Sequence, residues 1–186
     1  MTGLNGDAAP VRITPVRITS VIGNPRSESR THGLARTLVA ELARVVPGAQ
    51  TDDVDLAVLG SRVLEPDDAA AQVAVTQVAE SDILVISSPT YKASYSGLLK
   101  SFLDRFGHKG LTGKSAVPIL LGGLPSHQLA VDVHFSPLLL ELGAMVPAGG
   151  LFVLESDVGE YPAFAAQWAQ AHAPALVAAI LERTLS

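Results

Sequence analysis

"ILVISSPTYKASYSGLLKSFLDRF", residues 83–106, holds two kinds of periodicity on either side of one loop. Residues 83–87 are a continuous apolar run, the pattern of a strand covered on both faces of a sheet. Leu98, Leu99, Phe102, Leu103 and Phe106 then recur at helical spacing. Between them lie Pro89, Thr90, Tyr91, Lys92, Ala93, Ser94, Tyr95, Ser96 and Gly97, with two of the chain's three tyrosines in a single turn. A buried strand feeding a helix is half of a βαβ unit.

The same alternation continues in both directions. Residues 16–22 are β-branched and end at Gly23, which predicts a first strand. Leu34, Leu38, Leu42 and Val46 recur every four residues, so a one-faced helix is expected over 31–46. Residues 50–56 read as a weak, polar strand at a sheet edge, and 68–80 as a helix. Residues 115–121 form another buried strand, although Pro118 within it calls for an irregular or edge-like position. A helix over 127–142 closes at Gly143, a fifth strand is expected in 145–154, and a last helix over 161–185. The short repeat "VRITPVRIT" around Pro15 is incidental, and residues 1–14 read as a flexible tail before one domain spanning 15–186. Strands alternating with helices predict a three-layer α/β sandwich on a parallel sheet.

Composition narrows the function classes. The chain of 186 residues is 48% hydrophobic and 17% charged, with mean hydropathy +0.34, so it has enough apolar material for a sizeable core. Part of that apolar surface is expected in an oligomer interface, with residues 130–142 as the segment shared in a homodimer or homotetramer. A net charge of −5 and the lack of a basic stripe argue against nucleic acid as a partner. No run is long enough for a bilayer span and no leader pattern opens the chain, so no membrane partner and a cytoplasmic location are expected. With no cysteine, disulfides, thiolate catalysis, sulfur-ligated zinc and iron–sulfur clusters are excluded. His127 and His134 lack the i, i+4 spacing of a metal site, and none is expected.

Five strands admit the order 2-1-3-4-5, in which strands 1, 3 and 4 are neighbours. Ligands in such sheets lie beyond the carboxyl ends of the strands, where the order reverses. The loops leaving those three strands are "GNPRSESRT" (23–31), "PTYKASYSG" (89–97) and "GGLPSHQ" (122–128), the most distinctive in the chain. The first joins two arginines and several hydroxyls to a helix start, which suits a phosphate. An ordinary capped turn, with Ser29 or Thr31 as the cap, explains the hydroxyls but not both arginines. The second offers flat walls and close backbone approach to a ring. The third places Gly122 and Gly123 where backbone amides can approach a ligand.

Together, "GNPRSESRT", "SPTYKASYSGLLKSFLD" and "GG…SHQLAVD" resemble the NAD(P)H-dependent FMN reductases of the flavodoxin-like superfamily. The resemblance is strongest to the branch serving two-component alkanesulfonate and methanesulfonate monooxygenases. It implies FMN, with NADPH or NADH, and reduced FMN (FMNH2) released to an FMNH2-dependent monooxygenase. Hydride would pass to flavin N5 with no catalytic side chain. By the resemblance, Asn24, Arg26, Ser29, Arg30 and Thr31 hold the FMN phosphate. Pro89, Thr90, Tyr91, Lys92, Ala93 and Ser94 line the ring, and Gly122, Gly123 and His127 complete the site. Relatives in this branch carry an inserted residue that forms a π-helix at a subunit interface, a position where this chain offers Val133 or His134. An NAD(P)H-dependent quinone or azo-dye reductase, and an electron-carrying flavodoxin, are the alternative readings.

Overall fold

The computed structural model describes residues 15–181; the expected tail over 1–14 and the end of the last helix lie outside the described residues. Five parallel strands form one sheet in the order β2-β1-β3-β4-β5. They are β1 (Arg17–Ile22), β2 (Gln50–Asp55), β3 (Ile83–Pro89), β4 (Ser115–Gly122) and β5 (Leu151–Leu154). The helices are α1 (Arg30–Val45), α2 (Leu56–Leu59), α3 (Ala69–Ala79), α4 (Gly97–Leu103), α5 (Ser136–Glu141) and α6 (Tyr161–Leu181). This is the flavodoxin-like three-layer sandwich that the strand order requires.

Alternation along β3 divides the core. Ile83 and Val85 face the layer of α1 and α6, while Leu84 and Ile86 face the layer of α3, α4 and α5. All seven residues of β3 and all eight of β4 are buried, so neither strand shows the polar alternation of a half-exposed sheet. The first layer also buries Trp168, and the Tyr161 phenol there is pushed up from its usual pKa by desolvation. Asp68 caps α3 through the Ala71 amide at 2.8 Å. That bond, followed by the hydrogen bond from Arg62, holds its carboxyl below the usual pKa.

Pro118 sits within regular β4, opposite Ile86 of β3. Two residues earlier, the Ala116 amide donates to Met145 on the β5 side, at 2.7 Å. By alternation the Pro118 nitrogen faces that side too, but β5 pairs with β4 only from Ile119 onward. The missing N–H therefore falls where no ladder bond is needed, an edge-like position inside a central strand.

The fifth strand lies inside the expected range, at Leu151–Leu154, with an isolated bridge at Met145 before it. One sequence expectation is corrected. The regular helix over 127–142 is three pieces: a 3-10 turn Pro125–His127, a π-helix Val131–Phe135, and α5. Pro137 supplies the reason. It has no N–H for the Val133 carbonyl, and its ring would strike that carbonyl in a regular turn. The chain widens instead: the Ser136 amide bonds to the Val131 carbonyl, and the Ser136 hydroxyl reaches the same oxygen at 3.1 Å. Both Val133 and His134 are exposed on this segment. Gly143 closes the helix at φ +86°, as its position in the sequence implied.

Candidate functional site

The three distinctive loops meet at the carboxyl edge of β1, β3 and β4, and hydrogen bonds lock them together. The Gly23 amide donates to the Ser87 carbonyl at 2.8 Å, joining the first loop to β3. Ser96 then works in three directions. Its hydroxyl donates to the Gly23 carbonyl and accepts from the Leu99 amide at 3.1 Å, and its own amide donates to the Ser88 hydroxyl at 2.8 Å. Ser96 thus caps α4 while tying the second loop to the first. Sequence reasoning passed over Ser96 and Ser88, although a serine just before a helical stripe is a recognisable cap signal. The Thr90 amide donates to the Leu121 carbonyl at 2.7 Å, which brings the third loop alongside.

In the first loop, Asn24 acts as an internal brace. Its amide donates to the Thr31 hydroxyl at 3.1 Å, and its carbonyl oxygen accepts from the Arg26 amide at 2.9 Å. Ser29 is the N-cap of α1, accepting from the His32 amide at 3.2 Å. Asn24, Ser29 and Thr31 are therefore committed to shaping the loop. Arg26 is exposed, and its guanidinium has no partner among the described residues. Arg30 is engaged elsewhere, 2.9 Å from the Glu155 carboxylate just beyond β5. No first-turn acid opposes an anion at the start of α1.

His32 has a role that the sequence did not reveal. Its buried ring places Nε2 2.8 Å from Asp53 and Nδ1 3.7 Å from Asp55, both on β2. Asp53 also accepts from the Ser20 hydroxyl, and Asp55 caps α2 through the Ala57 amide. The polar character of β2 now has a cause: its carboxylates hold the first turn of α1 against the sheet edge.

In the second loop, Tyr91 and Ser94 exchange backbone hydrogen bonds of 2.8 and 3.1 Å around Lys92 and Ala93. Those two residues lie at φ +51° and +61°, a two-residue reverse turn that glycine or asparagine normally favours. Such strain at a loop tip is typical of functional segments. The turn leaves Tyr91 47% exposed above the sheet edge. Tyr95 lies against Phe135 of the π-helix, ring centroids 5.4 Å apart. Thr90 carries a buried hydroxyl with no partner. An ideal Cβ on Gly122 would come within 3.1 Å of that hydroxyl and 2.6 Å of the Phe152 ring, so a side chain here would have to push that ring aside. Gly123 is exposed and His127 half-buried in the 3-10 turn beyond it.

An open edge of this kind, with a free guanidinium, a helix start, an exposed aromatic ring and an orphaned hydroxyl, fits a flat ligand with an anionic tail. Residues 16–159 match the model of the NADPH-dependent FMN reductase family. This chain belongs to that family. The reductase is 34% identical to the NADH-dependent FMN reductase SfnF of Pseudomonas putida over 142 residues, 74% of this chain and 76% of the relative. It is 30% identical to the FMN reductase (NADPH) of Escherichia coli (strain K12) over 154 residues, covering 78% and 77% of the two chains. Among solved structures it resembles the apo form of the NADH:FMN oxidoreductase EMOB, with TM-score 0.76 and 28% identity, over 87% of this chain and 90% of that one. Its activity is thus NAD(P)H-dependent reduction of FMN. Among the described residues there is no cluster that could hold a metal ion, and no helix long and apolar enough to cross a membrane.

Proposed function

We propose that the three loops bind FMN as an exchanging substrate, and that the reductase passes FMNH2 to a two-component, alkanesulfonate- or methanesulfonate-type monooxygenase in the cytoplasm. In this reading the α1 amides and Arg26 hold the phosphate, on a loop shaped by Asn24, Ser29 and Thr31. Arg30 stands beside them through Glu155. Pro89 to Ser94 wall the ring, the Thr90 hydroxyl finds its partner on the flavin, and Gly122, Gly123 and His127 border it. FMN held there would supply the hydride acceptor for reduced nicotinamide, and these side chains would bind and orient both. The observation that supports the exchanging role is the openness of these loops: Pro25 to Glu28 and Tyr91 are all exposed.

The proposal is tested by dialysis and by coupling. FMN should be lost on dialysis of the purified chain. Added FMN and NAD(P)H should then sustain an FMNH2-dependent monooxygenase supplied as a separate protein. A protein that keeps stoichiometric FMN and fails to support the oxygenase would overturn it in favour of a carrier or a reductase with resident flavin. Tyr91→Ala should raise the FMN dissociation constant about tenfold, a loss of about 1.4 kcal/mol of ring contact. Fluorescence titration that finds wild-type affinity in this variant removes Tyr91 from the site.

The reductase further pairs, in our reading, as a homodimer or homotetramer through the π-helix and α5. Val133 and Leu140 there are 57% and 55% exposed, and Leu129 just before the π-helix is 68% exposed.

A further inference from the structure

The family's reaction needs two ligands, and the three loops account for one. Between α4 and the 3-10 turn Gly60–Leu64 lies a cavity of about 400 Å³, within the usual size range of ligand pockets. Pro25 of the first loop, Val63 and Leu64 of the turn, and Leu98 of α4 give it apolar walls, and Ser61 and Ser101 add hydroxyls. A second hollow of about 380 Å³ shares Val63, Leu64 and Ser101 and extends the groove along α4.

The outer wall is built to stay in place. Arg105, at the end of α4, donates to the carbonyls of Val63 at 3.2 Å, Glu65 at 2.8 Å and Pro66 at 3.0 Å. Three bonds from one guanidinium fix this turn relative to the end of α4. The groove is preformed, yet nothing within the described chain fills it, and Leu64 remains 66% exposed on its wall.

Its position and charge point to an occupant. The groove meets the flavin loops twice, at Pro25 and at Gly97, so a ligand stacked on the flavin ring can continue into it. Two exposed guanidiniums adjoin it in sequence: Arg26 beside Pro25, and Arg62 between Ser61 and Val63, the latter paired with Asp68 at 2.8 Å. Apolar walls suit a purine, and a guanidinium at the entrance suits a diphosphate. We propose that this groove takes the adenosine end of NADH or NADPH, with the nicotinamide reaching the flavin past Gly97. The inference rests on the placement of FMN in the three loops.

The test uses substitutions on the groove wall, at residues with no part in the flavin loops. Leu64→Trp and Ser61→Trp, at exposed positions, should fill the groove without disturbing the core. Calorimetric titration of the flavin-free chain with ADP should show binding that weakens about tenfold or more in each variant. The KM for NADPH should rise by a similar factor, while that for reduced nicotinamide mononucleotide, which lacks the adenosine end, and the FMN dissociation constant stay unchanged. Equal ADP affinity in wild type and variants overturns the proposal, as does a parallel rise in KM for both nucleotides. Weaker FMN binding in the variants would assign the groove to the flavin and also overturn it. A smaller mass in light scattering with ADP binding intact would show a second copy of the chain there instead. Failure of the flavin placement has its own signature, equal losses of FMN and riboflavin in Arg26→Ala.

Discussion

Gly23→Ala should cost the reductase about 1–3 kcal/mol of stability, the usual range for overpacking, and most of its FMN affinity. An ideal Cβ at Gly23 would sit 2.6 Å from the Leu99 Cβ and 3.1 Å from both its Cγ and Cδ2. Leu99 is fully buried in α4, and its Cβ is carried by the helix backbone, so no rotamer change relieves the clash. Either α4 or the first loop must shift, and the bond from the Ser96 hydroxyl to the Gly23 carbonyl is lost with it. That bond is what joins the phosphate loop to the ring loop, so the stability loss and the binding loss share one cause. Thermal unfolding and FMN fluorescence titration on the same variant measure both. Gly33→Ala is the control: Gly33 lies in α1 with open space where its Cβ would be, so it should stabilise by about 0.5–1 kcal/mol. If Gly23→Ala melts and binds FMN like wild type, the close approach does not govern the site.

Arg26→Ala should weaken FMN by about 10- to 100-fold and leave riboflavin unchanged. A charge-assisted bond from a guanidinium to a phosphate contributes about 1.5–3 kcal/mol, and riboflavin has no phosphate to receive it. Arg26 is available for this because the brace from Asn24 uses only its backbone amide. Arg30→Ala should cost less, since its guanidinium already lies against Glu155 in an exposed pair and the phosphate must share it. The Arg26 contribution should also shrink as salt is raised, because the side chain is solvent-facing. Titration of both flavins at low and high ionic strength reads all of this. Equal losses for FMN and riboflavin would place Arg26 away from the phosphate.

Much of this was legible without coordinates. The apolar runs at 83–87 and 115–121 belong to strands buried on both faces, and the four-residue spacing of Leu34, Leu38 and Leu42 faces α1 into the core. Periodicity of this kind is local: it follows from 2.0 or 3.6 residues per repeat and survives any change of neighbour. Strand count and alternation then left few topologies, and the loops leaving strands 1, 3 and 4 do converge. Even the break in the helix after β4 had a local trace, since Pro137 could not continue a regular turn.

The tertiary structure alone decided the partners. Arg30 and Glu155 are 125 residues apart, and Ser96 and Gly23 are 73 apart. No spacing rule connects such residues. They meet because right-handed crossovers bring α1 over β1 and β3, and because the register sets Ile22 beside Ser87 and Asp55. Nothing local marks His32; only that register places Asp53 and Asp55 against its ring. The bonds of Asn24 and Ser29 within the loop came to light in the same way. Their residue types announced hydrogen bonding, but whether a hydroxyl or amide faces the loop or a ligand depends on the backbone that holds it. A sequence states what each group can bond to, and the fold states which groups are within 3 Å of one another.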